Sequence, residues 1–123
     1  AVALATGLDI EGHTRVDGLL FAHNSDELLP ESIVALEAIA QLLKERSGLL
    51  LYVVGHTDLT GTLEFNLDLS KRRANSVVRA LIKDYSITNN RLKARGIGPL
   101  APEVSNESED GRARNRRVEI VIR

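Results

Sequence analysis

The run "LLLYVVG", Leu49 to Gly55, restricts the fold more than any other stretch of this chain. It is continuously apolar, carries β-branched residues and is too short for a core helix, so it reads as a central strand. A helical pattern lies on each side. Before it, Ile33, Leu36, Ile39, Ala40 and Leu43 recur at helical spacing, with Pro30 tolerated in the first turn and Glu31, Glu37, Lys44 and Glu45 mostly elsewhere. That helix is expected to end near Ser47-Gly48, where a glycine offers a left-handed cap. After it, a second helix is expected from about Leu63 to Tyr85, its apolar stripe formed by Ala74, Val77, Val78, Leu81 and Ile82.

Three further segments read as strands. They are "RVDGLLFA" (Arg15 to Ala22), "NNRLKARGIG" with Leu92, Ala94 and Gly96 on one face, and "RRVEIVIR" with Val118, Ile120 and Ile122 on one side. "PLAPEVSNESEDG" reads as a long polar loop. The order β-α-β-α-β-loop-β predicts a two-layer α/β sandwich with a mixed four-stranded sheet. The last strand follows a loop, so it is expected to be antiparallel. Residues 15–123 form one domain in this reading, and residues 1–14 are an extra strand or an arm. "LLLYVV" is apolar on both faces, so the outer sheet face needs a cover. The N-terminal segment is one candidate and a second copy of the chain, a homodimer, is the other.

Composition excludes several classes. The chain has 123 residues, 43% hydrophobic and 27% charged, with a net charge of -1, so no global field draws it to nucleic acid or to an anionic membrane. Cysteine is absent, which removes disulfides and thiolate chemistry. With two Tyr, two Phe and no Trp, stacking platforms for bases or sugar rings are not expected. No apolar run is long enough to span a bilayer, and the start "AVALATGLDI" lacks the basic region of an intact signal peptide. Methionine is absent even at position 1, which suggests a processed chain or a fragment of a longer one. Membrane association is therefore expected only through parts outside this sequence.

The candidate chemistry begins in "VVGHTDLTG", where the central strand runs into a glycine-bounded polar loop holding Thr57 and Asp58. Loops at strand ends are where α/β proteins tend to place their sites. In "NLDLSKRRANSVV", Asn66 and Arg73 are seven apart, two turns of helix, so they share a face. Asn66 belongs to the helix start, where backbone N–H groups are free. Counting by two from Val118 places Arg116 on the strand face that meets the helices, at the strand's end. A carboxylate, an amide and two guanidiniums gathered in this way complement a small zwitterion. Asp58 accepts from an ammonium group, and Arg73 grips a carboxylate through two parallel N–H bonds.

Simpler readings compete. Asp58 alone is equally consistent with a helix cap or a closed turn. An arginine on a helix is usually solvated, as Lys71 and Arg72 are expected to be. "RARNRR" follows Glu107, Glu109 and Asp110 and has no interleaved aromatic, which argues against nucleic acid. His13, His23 and His56 lack ligand spacing, so neither a metal nor a cofactor is expected. Thr57 or Ser70 with His56 and Asp58 has no nucleophile elbow around it, which argues against an enzyme.

Together "GHTDLTG", "NLDLSKRRANSVVRALI", "RLKARGIGPLAP" and "GRARNRRVEIVI" resemble the OmpA-like peptidoglycan-binding domain, the family of the OmpA C-terminal domain, the lipoprotein Pal and the stator protein MotB. The resemblance covers residues 19–123. The family's TD motif corresponds to Thr57-Asp58, its LSxxRA motif to Leu69, Ser70, Arg73 and Ala74, and its NRRV motif to Asn115 to Val118. The resemblance implies non-catalytic binding of the diaminopimelate residue in the cell-wall stem peptide. Asp58 and Arg73 would be the main ligand residues, with Asn66 and Arg116 in support. It also implies a periplasmic module tethered to the outer membrane. The alternative it leaves open is an interaction or assembly domain of the same fold in an envelope complex. Where the family often has an aspartate after the first strand's phenylalanine, Ala22 follows Phe21, leaving His23, Asn24 or Ser25 to supply a contact from that edge.

Overall fold

The apolar run becomes an inner strand of the sheet, as its composition demands. The structure, a computed structural model, describes residues 2–123. In chain order it contains α1 (Val2–Glu11), β1 (His13–Arg15), α2 (Ile33–Glu45), β2 (Leu51–His56), α3 (Leu63–Tyr85), β3 (Leu92–Gly98), α4 (Glu109–Asn115) and β4 (Arg117–Ile122). The strands form one sheet in the order β1-β4-β2-β3. β2 and β3 are parallel, and β4 runs antiparallel to both β2 and β1. This is the expected two-layer α/β sandwich with a mixed four-stranded sheet and an antiparallel last strand.

Register explains the core. Val53 lies between Ala94 and Ile120, and Leu51 between Leu92 and Ile122. With Val118 these residues line the buried sheet face, except Ile122, which is exposed at the end of β4. Leu36, Ile39, Leu42 and Leu43 of α2, and Val77, Val78 and Leu81 of α3, pack onto it. Burying side chains of this size stabilises by about 1.5–3 kcal/mol each. Ile33 is the exception on the expected stripe: at the first position of α2 it is half exposed, and Leu42 takes the inward place.

Four expectations need correction. Residues 2–11 are a helix rather than an arm or strand, and the strand of this region is the short β1. Leu8 of α1 is 1% exposed in the core, and Asp9 receives two bonds from Arg46, at 2.8 and 2.9 Å. The expected strand over Arg15 to Ala22 stops at Arg15. Its pairing continues only through Val16 N–H to the Val118 carbonyl and an isolated bridge between Phe21 and Leu28. The buried Ser32 hydroxyl instead satisfies both the N–H (2.8 Å) and the carbonyl (3.0 Å) of Leu20. The polar loop is interrupted by α4, capped by the Ser108 side chain on Gly111 N–H at 3.0 Å. Finally, α2 ends without a left-handed glycine. Its cap is Arg46 at φ -119° and ψ 84°, and the Arg91 guanidinium takes the Arg46 carbonyl at 2.6 Å.

The outer sheet face is covered by charge rather than by the N-terminal segment. Thr14 pairs with Ile120 on the buried side and faces Gly7, so α1 lies in the helix layer. On the other side the guanidiniums of Arg95 and Arg123 each sit 5.7 Å from the Tyr52 ring centroid.

α3 approaches the sheet closely because two glycines allow it. A Cβ on Gly55 would collide with the Ser70 carbonyl oxygen, and one on Gly96 with the Lys71 amide nitrogen and the Ser70 hydroxyl. Ser70 Oγ uses the closeness, accepting from Gly98 N–H at 3.0 Å. Gly96→Ala is therefore expected to lower stability by about 1–3 kcal/mol through overpacking, read as a shift in the urea midpoint. An unchanged midpoint would show that the helix can retreat freely.

Candidate functional site

The loop after β2 is shaped by its own side chains. Asp58 Oδ1 accepts from Thr60 N–H at 2.7 Å, a local turn closed by the side chain. Thr57 N–H donates to the Gly98 carbonyl at 2.9 Å, tying the loop to the end of β3, and its hydroxyl donates to the Asp58 carbonyl at 2.9 Å. Asn66 donates its side-chain amide to the Thr60 carbonyl at 2.9 Å. Thr57 and Asn66 thus brace the strand of loop that presents Asp58. The cap of α3 is Thr62, whose hydroxyl accepts from Phe65 N–H at 3.1 Å. Asp58 therefore closes a turn and does not cap the helix. Asn66 lies one turn inside α3 with its own N–H bonded to the Thr62 carbonyl, so it is not among the free N–H groups expected of the helix start.

Across the loop lies Arg116, the residue that ends α4 before β4 begins. Its Nη1 donates to Asp58 Oδ2 at 2.6 Å and its Nη2 to Glu109 Oε2 at 3.1 Å. Both contacts raise the Arg116 pKa. Asp58 is only 7% exposed. Burial acts to raise its pKa, but the Thr60 amide and the Arg116 guanidinium outweigh it and hold the carboxyl below its usual range.

Arg73 reaches the same space from the second turn after Asn66. Its Nε donates to the Ser25 carbonyl at 2.8 Å, its Nη2 to the Ala22 carbonyl at 3.5 Å, and its guanidinium carbon sits 5.0 Å from the Phe21 ring centroid. Among the described residues no carboxylate lies within ion-pair distance of it. Burial, then repulsion from Arg72 and Arg116, lower its pKa. Arg73 is the guanidinium of the site that still lacks a full counter-charge.

Asp58, Thr57, Asn66, Arg73 and Arg116 all border one cleft of ≈ 400 Å³. His23 and Asn24 border it from the loop that Arg73 holds, while Ser25 contributes its carbonyl to Arg73 rather than a wall. Three bordering residues escape the sequence reading: Thr60 in the Asp58 loop, Phe65 in the first turn of α3, and Glu109. Glu109 was legible in principle. Ser108 followed by Glu109 and Asp110 is a helix-start signal, and a helix from there puts Glu109 two turns before Arg116 on the same face.

The chain is thus a two-layer α/β module with a charged cleft beyond the carboxyl ends of its parallel strands, the place where α/β folds commonly bind small ligands. The description of the OmpA family matches residues 20–116, and the chain belongs to that family. It is 38% identical over 106 residues to the probable lipoprotein YiaD of Escherichia coli K12, a match covering 86% of this chain and 48% of that protein. The chain thus spans about half the length of the curated relatives it matches first. Two solved structures share the fold. The peptidoglycan-associated lipoprotein from Burkholderia pseudomallei is 30% identical with a TM-score of 0.76, covering 85% of this chain and 88% of that one. The cell wall anchor of the T6SS from Pseudomonas aeruginosa is 31% identical with a TM-score of 0.75, covering 97% of this chain and 92% of that one. Among the described residues no helix is long and apolar enough to cross a membrane.

Proposed function

We propose that this domain binds peptidoglycan without catalysis and tethers an envelope protein to the cell wall from the periplasmic side of the outer membrane. In this reading the ligand group is the free zwitterionic centre of diaminopimelate in the stem peptide. Asp58 takes its ammonium and Arg73 its carboxylate, while Arg116 flanks the pair and Thr57 and Asn66 fix the Asp58 loop. One observation carries the proposal: Asp58 and Arg73, fifteen positions apart in sequence, border a single cleft in which Arg73 has no carboxylate partner. A half-buried guanidinium opposite an ionised carboxylate matches two opposite charges on one carbon. A peptidoglycan-associated lipoprotein and a cell wall anchor among the structural neighbours point the same way.

Crosslinking acylates the amine of that centre, and a lysine in the same place has the amine but lacks the adjoining carboxylate. Tripeptides ending in diaminopimelate should therefore bind at least about tenfold more tightly than their lysine or N-acetylated counterparts, a difference of ~1.4 kcal/mol or more. Calorimetric titration of the three peptides is the test. Equal affinities would remove the zwitterion from the mechanism.

A further inference from the structure

The charges bordering the cleft are unevenly shared. Arg116 is claimed by two carboxylates, Asp58 at 2.6 Å and Glu109 at 3.1 Å, while Arg73 has carbonyls and a ring. Glu109 also accepts from Arg112 Nε at 3.3 Å, one turn along α4, and Arg112 is held in turn by the Asn106 carbonyl at 3.0 Å. With the carboxyls ionised, Asp58, Glu109, Arg73 and Arg116 sum to zero, matching a ligand head that is itself neutral. An ammonium arriving at Asp58 competes with Arg116 for the same carboxylate. It does so more readily when the Arg116 charge has a second carboxylate to rest on.

We propose that Glu109 is a specificity-determining residue of the cleft: by holding Arg116 it releases Asp58 to an ammonium and keeps the cleft from accepting a second anion in its place. This rests on the reading of the cleft as a zwitterion site. Without Glu109 the four-charge set becomes a three-charge set with one positive charge in excess. Two guanidiniums then face the ligand with one carboxylate between them, which suits a simple carboxylate as well as a zwitterion. Glu109 is 64% exposed, so its influence is partly screened and should weaken as salt is added.

The test compares meso-diaminopimelate with pimelate, the same carbon chain without amines, by calorimetric titration of the wild type and Glu109→Gln at low ionic strength. The wild type should prefer diaminopimelate. In the variant that preference should fall by about two- to fivefold, and the difference between the two proteins should shrink in high salt. The ratio is taken within each protein, so a general loss of folded material does not move it. A wild type that prefers diaminopimelate, with an unchanged ratio in Glu109→Gln, overturns the role given to Glu109 and leaves the cleft assignment standing. A wild type that binds neither compound, in this assay or as the stem tripeptide, overturns the cleft assignment itself.

Discussion

Arg73→Glu is expected to abolish retention of the domain on purified sacculi. Two effects act together. The ligand carboxylate loses the one guanidinium in the cleft that has no carboxylate of its own, and a like charge takes its place. Removing one partner of a desolvated charged contact costs about 2–5 kcal/mol, or about thirtyfold to several thousandfold in affinity. Arg73→Lys should fall between, because a single ammonium cannot reproduce two parallel N–H bonds. Asp58→Asn removes the opposite half and should lose retention to a similar degree while keeping an acceptor for Thr60 N–H. The loop from Ala22 to Asp26 supplies the structural control. Arg73 holds it through the Ser25 carbonyl, but Ser76 Oγ also donates to the Asp26 carbonyl at 2.7 Å and Arg72 pairs with the Asp26 carboxylate at 3.5 Å, so the loop stays tethered to α3 in the Arg73 variants. A pull-down in which Arg73→Glu and Asp58→Asn, both natively folded by circular dichroism, are retained like the wild type would sink the assignment of these two residues.

The parts of this fold that could be read from sequence are those whose determinants are local. β2 follows from the short unbroken apolar run Leu49–Val54, the stripes of α2 and α3 from helical periodicity, and β4 from the alternation of Val118 and Ile120. What escaped depends on partners distant in the chain or on polar segments without periodicity. The segment after Arg15 is withheld from the sheet by a hydroxyl twelve residues from Leu20, Ser32, which no alternation pattern reveals. α1 is apolar nearly all round, so its helical face is unmarked, and its place is set by Leu8 and by the Asp9–Arg46 pair. α4 is seven residues of charge and small side chains. In the site, the motif residues were visible but their division of labour was not. The commitment of Arg116 to Asp58 and Glu109, and the lack of a carboxylate for Arg73, depend on contacts spanning up to 58 residues. Thr57 and Asn66 looked like ligand groups because of their position. Both border the cleft, and their side chains also brace the Asp58 loop, a part that position alone does not reveal.

Lowering the pH from 7 to 4.5 is expected to destabilise this domain by about 2 kcal/mol through His56 alone. His56 ends β2, directly before Thr57-Asp58, and is 7% exposed with its Nδ1 buried and without a partner among the described residues. Burial first, and then the Arg117 charge across the β2–β4 pair, lower its pKa to about 4; Glu119 and Glu103 oppose them, and His13 adds slightly to the lowering. The unfolded chain takes up this proton near the ordinary histidine value of about 6.5, whereas the folded chain resists it down to about 4. Between those values protons favour the unfolded state. Stability is therefore unaffected by this group above about pH 7, is lost as the pH falls through the window, and levels off below it. The carboxyls held low, Asp58, Glu103 and Glu119, act in a separate window, beginning near the ordinary carboxylate range and extending below it. Urea unfolding at pH 7, 6, 5 and 4.5 isolates the histidine. The wild type should lose stability steadily, and His56→Gln, which cannot titrate, should stay nearly flat over the same range. A wild type whose midpoint is constant down to pH 4.5, or a His56→Gln variant with the same slope, would mean that the His56 imidazole is not kept neutral by the fold.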